Sequence, residues 1–98
     1  MATVGQQRVE RALQVIRLMS IVLAERGRLL ARYDRANMEL ECQRRLLRFL
    51  SFQAEGDTTS RQASVRMEIN RLERKVHRVA ARMIVLRQRR DRLHTEVR

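Results

Sequence analysis

From position 62 onward, one row of residues recurs at alternating steps of three and four: Gln62, Val65, Ile69, Leu72, Val76, Val79, Met83, Leu86, Arg90, Leu93 and Val97. Such steps average 3.5 residues, the repeat of a left-handed coiled coil, and cannot be reconciled with the two-residue period of a strand. A second row of the same kind lies upstream, made of Met19, Val22, Arg26, Leu29, Tyr33, Ala36, Leu40, Gln43, Leu47 and Leu50. Folding the chain back once between the rows sets Leu50 against Val65, Leu47 against Ile69 and Leu40 against Val76. The series continues through Tyr33 with Met83, Leu29 with Leu86 and Val22 with Leu93, to Met19 with Val97. Every such pair of residue numbers adds to 115 or 116. An antiparallel pairing across one turn demands a constant sum, because each step forward along one helix is a step back along the other.

The turn has its own signal in AEGDTTS, Ala54 to Ser60. Gly56 suits the left-handed position that follows a helix C-terminus. Thr59 with Gln62, and Thr3 with Gln6 near the chain start, have the spacing of a capping box. The sequence therefore predicts an all-α chain in a single domain, 1–98. Its form is an antiparallel two-helix coiled-coil hairpin, with helix 1 over about residues 5–53, a turn at about 54–60 and helix 2 over about 60–97. A chain without proline, with three glycines and three aromatics, suits that architecture and not a sheet. Gly27 costs helix 1 about 1 kcal/mol relative to alanine, but the register runs unbroken on both sides of it, so no third helix is expected there. In one layer Arg26 falls opposite Arg90; both side chains are expected to reach out to solvent along their aliphatic stems, with the neighbouring Glu25 and Asp91 as available counter-charges.

Two helices enclose little core, so completion by helices of a partner or of a second copy is expected. Apolar residues are left over for that purpose. Ile16, Leu23 and Leu30 form a second row on helix 1, with Ile84 and Val85 across the hairpin. Helix 1 is also about eleven residues longer than helix 2 by these bounds, and its overhang carries Val9, Ala12, Leu13 and Ile16 at helical spacing. Val9, Leu13, Ile16, Leu23, Leu30 and Ile84 are thus the candidate partner-docking residues. A local return of Leu13, Val15 and Ile16 onto the hairpin is the blander alternative. Phe49 and Phe52 sit near the turn.

The formal net charge is +11, and of the 22 basic residues only Lys75 is not arginine. That balance calls for an acidic neighbour: RNA, DNA, an acidic protein surface or anionic lipid. Arg71, Arg74, Lys75, Arg78, Arg82, Arg89 and Arg92 recur mostly three or four apart, over about 32 Å of helix. They are the candidate contacts to an acidic partner or to phosphate, on the side of helix 2 away from its seam. A solvated coiled-coil face is the competing reading. Glu41 with Arg45 and Glu68 with Arg71 have the spacing of helical ion pairs. Stacking aromatics are missing and no helix-turn-helix or basic-zipper spacing is present, so any nucleic-acid contact is expected to be with shape and charge.

Cys42 stands alone, which excludes an internal disulfide and points to a reducing, intracellular compartment. No apolar run reaches the roughly 20 residues of a membrane span. Arg8, Arg11 and Arg17 also fit an amphipathic mitochondrial targeting segment, which Glu10 opposes. Cys42, His77 and His94 do not converge in the hairpin register, and phosphate-binding glycine loops are missing. No catalytic residue, metal site or cofactor is expected. The composite expectation is a structural subunit of a multiprotein complex, with a nucleic-acid-binding component of a nucleoprotein as the second reading and a homo-oligomeric bundle as the third.

Overall fold

The computed structural model of the chain describes residues 3–53 and 58–97, with all their side chains but that of Val97. It consists of α1 (Val4–Phe52) and α2 (Thr59–Val97), with no strand among the described residues. The two helices pack against each other as a hairpin, and each starts one residue before its expected position. Gly56, the expected pivot of the turn, and the side chain that would pair with Met19 from Val97 lie outside the described residues.

Local chemistry accounts for the helix ends. The Thr3 amide donates to Gln6 Oε1 at 2.8 Å and the Gln6 amide donates to Thr3 Oγ1 at 3.2 Å, the reciprocal pair of a capping box. At the other end of α1 the Leu50 carbonyl accepts from the Gln53 amide and from Gln62 Nε2, both at 3.3 Å. Gln62 Nε2 also donates to Thr58 Oγ1 at 3.0 Å. The polar first member of the α2 seam is therefore used to satisfy a carbonyl that the end of α1 leaves without an intrahelical donor.

The chain divides into two compact units, residues 31–81 and residues 1–30 with 82–98. In the first, Leu40, Leu50, Val65, Ile69 and Leu72 form one buried cluster, with Leu47 and Val76 packed on it. Leu40 and Val76, assigned to one layer from the sequence, thus lie in one core. In the second unit Val15, Val22 and Leu93 cluster with the half-buried Met19, and Leu29 and Leu86 are buried as well.

Among the described residues twelve hydrophobic side chains are buried, and no polar or charged one is. Eleven of the twelve stand in the two expected rows. Val15 does not, and it corrects the expectation: it lies four residues before Met19, continues the α1 row by one layer and is only 1% exposed. Of the local return considered for Leu13, Val15 and Ile16, Val15 alone turns inward. The seam members Tyr33, Gln43, Leu47, Gln62, Val76 and Met83 are half-buried. The arginine layer resolves as expected: Arg26 is exposed, and Arg90, half-buried, reaches Asp91 Oδ1 at 3.5 Å. Glu25 is engaged elsewhere.

Candidate docking face and basic faces

Naming the seam positions a and d fixes the phase of every other side chain. In an antiparallel pair the e positions of one helix face e of the other, and g faces g. In the unit of residues 1–30 and 82–98, the g flank holds two ion pairs between the helices, Arg11 with Glu96 and Arg82 with Glu25 at 2.9 Å. Among the described residues the e flank of this unit has no ion pair between helices. Its α1 positions are Val9, Ile16, Leu23 and Leu30, each seven residues after the last.

These four side chains are exposed, as are Leu13 beside them and Ile84 on the same flank of α2, all between 43% and 60%. Helical phase therefore gathers all six candidate docking residues on one side of this unit. Val85 departs from the expected grouping: one residue after Ile84 the helix has turned 100°, which carries it to the g side. The α1 excess over α2 is ten residues, 49 against 39, and with Val15 buried the uncovered stretch is shorter than the sequence suggested.

The seven basic residues grouped on α2 fall at c, f and g positions, within about 100° of its circumference and toward the g side of the seam. Lys75, Arg82 and Arg89 occupy g positions beside the seam. Lys75 is half-buried and Arg82 is tied to Glu25 through both Nε and Nη2. Arg71 forks onto Glu68, with Nε to Oε2 at 3.0 Å and Nη2 to Oε1 at 2.5 Å. Those bonds hold the exposed Glu68 carboxyl below its ordinary pKa and raise that of Arg71. Arg74, Lys75, Arg78, Arg89 and Arg92 have no carboxylate within 4 Å among the described residues. In the unit of residues 31–81, Arg44 reaches Glu73 at 3.2 Å, while Arg45 and Arg48 share Glu41.

Comparison with family models, with curated proteins and with solved structures found no match. The chemistry of the chain's own surface is therefore what bears on function. Among the described residues no three His, Cys, Asp or Glu side chains gather in a way that would hold a metal ion, and Cys42 is an exposed free thiol. No described helix is long and apolar enough to cross a membrane. The row of Ile16, Leu23 and Leu30 was legible in the sequence; what sequence reasoning left unnamed is that Val9 continues it by one heptad. The a and d phase puts all four at e.

Proposed function

We propose that this chain is a non-enzymatic structural subunit, a basic coiled-coil hairpin that docks into a larger assembly through Val9, Leu13, Ile16, Leu23, Leu30 and Ile84. One observation carries the reading. The hairpin spends its a and d residues on its own core, and still presents these six large apolar side chains on one flank at 43–60% exposure. A contiguous patch of this kind is a mark of an interaction surface, where scattered single residues would not be. Apolar residues at a, d and e together make a stripe wider than the a and d seam that a two-stranded coiled coil covers.

The test is a pair of charge substitutions. Leu13→Asp with Ile16→Asp puts two carboxylates into the patch without touching a buried residue, and should abolish capture of protein partners crosslinked in the native source. Arg78→Glu with Arg89→Glu should have the smaller effect. An unchanged capture by the Asp pair would refute the reading.

A second reading, a nucleic-acid-backbone contact, draws on Arg74, Lys75, Arg78, Arg89 and Arg92, which keep their charge unneutralised by any described acid. Five phosphate contacts would make the logarithm of the binding constant for duplex fall with log salt at a slope of about −4 to −5. A slope near zero in a salt titration against duplex RNA or DNA would exclude it.

A further inference from the structure

Resting on the docking reading, we infer that the occupant of the apolar flank is an acidic amphipathic helix of a different polypeptide, crossing α1 at Gly27, and not a second copy of this chain. Charge is the first ground. The unit of residues 1–30 and 82–98 has eleven arginines against four acids. Three of the acids are committed: Glu25 to Arg82, Asp91 to Arg90 and Glu96 to Arg11. Glu10 is the one without an arginine within 4 Å among the described residues. Arg8, Arg17, Arg26, Arg28, Arg87, Arg89 and Arg92 have no described acid at that distance.

Two of these arginines border the apolar row itself. Arg17 stands one residue after Ile16 and four after Leu13, on the outer edge of α1. Arg87 stands at the e position of α2, three residues after Ile84. A second copy seated here would bring the same arginines to the interface, and its own formal charge of +11 to the complex. Like charges brought together across a desolvated interface are unfavourable. A helix with glutamate or aspartate beside its own apolar stripe meets both requirements at once: its apolar side covers the e row, and its carboxylates reach Arg17 and Arg87.

Gly27 is the second ground. It lies four residues after Leu23 and three before Leu30, on the same side of α1. A Cβ built there would meet nothing within 4 Å. Packing inside the chain therefore gives no reason for a residue that weakens a helix interior by about 1 kcal/mol. A position without a Cβ between two leucine side chains lets another backbone come close.

The probes are two synthetic four-heptad helices with leucine at both seam positions, one carrying glutamate and the other lysine at the flanks. Their binding to the full-length chain is read by fluorescence anisotropy. The glutamate helix should bind at least about tenfold more tightly than the lysine helix. Arg17→Glu with Arg87→Glu should reverse that preference. Gly27→Leu should weaken the glutamate helix by about tenfold or more while the melting temperature of the chain alone holds or rises. Equal binding of the two helices, or a Gly27→Leu chain that binds as well as the parent, overturns the inference. So does a stable dimer of the purified chain by sedimentation that Leu13→Asp with Ile16→Asp dissociates. In those cases the capture experiment keeps the two claims apart. Partner capture lost with the Asp pair, alongside any of these outcomes, leaves docking standing and removes the acidic helix; partner capture retained removes docking itself.

Discussion

Truncation of Leu72 or Leu86 to alanine should lower the unfolding free energy by about 2–5 kcal/mol, the cost of deleting a buried leucine and leaving part of its volume empty. Each side chain is 1% exposed, and they serve different units, Leu72 within residues 31–81 and Leu86 within the other. A two-helix core offers few neighbours to collapse into the space, and a domain held by one seam has little stability in reserve. Thermal and denaturant unfolding followed by circular dichroism should show the loss in both variants. Leu30→Ala is the matched control: that side chain is 43% exposed, and its truncation should change stability by less than about 0.5 kcal/mol. If Leu30→Ala proved as damaging as Leu86→Ala, the division between seam and docking flank would be wrong.

The opposite sign is expected at the arginine layer. Arg26→Leu with Arg90→Leu should stabilise the chain, by about 1–2 kcal/mol for each side chain that becomes covered. Arg26 is exposed, and Arg90 is held out of the seam toward Asp91. That layer therefore contributes stems rather than packed side chains, between the filled layers of Leu29 with Leu86 and Val22 with Leu93. Removing two like charges from one level of the hairpin adds to the gain. The Arg90–Asp91 contact it sacrifices is between neighbours in sequence on an exposed surface, and such pairs contribute 0–1 kcal/mol at most. A melting temperature that falls in the double variant would mean that the arginines hold something in that layer which leucine cannot.

The fold could be read from the sequence because the seam is redundant. Two rows, each with its own period, had to agree on one register, and Leu40 and Val76 do share a core. Val15 escaped because the row was extended only as far as a residue on α2 could stand opposite it. The constant sum leaves it no counterpart within the sequence, yet Met19 from the next layer and Leu93 from the layer after that belong to the same cluster. Burial at the end of a hairpin is shared between layers, and a strict one-to-one pairing cannot express that.

The basic face was less legible for a different reason. Charge spacing of three and four residues says that side chains are near each other along a helix, but not which side of the seam they are on. Arg82 reads as one more member of a stripe until Glu25 is seen to take it. Glu25 is 57 residues away in sequence, and only the register makes the two neighbours. The docking residues were identified by elimination, as apolar side chains with no seam to occupy. Their alignment into one flank follows from the a and d phase, and the Arg11–Glu96 and Arg82–Glu25 pairs show that the opposite flank is the one bridged by ions.

The constant-sum register also limits how such a chain can change length. Deleting a single residue from one helix would turn each later layer by 100° and move arginines into the core. A deletion of seven from one side would restore the stripe but leave its former counterparts unmatched. Only removal of a heptad from each side, at corresponding depths, keeps both the stripe and the match. Gene length here is therefore expected to vary in coupled fourteen-residue steps or by extension of the free ends, and a naturally occurring shorter form lacking seven residues on one side alone would be the exception to look for.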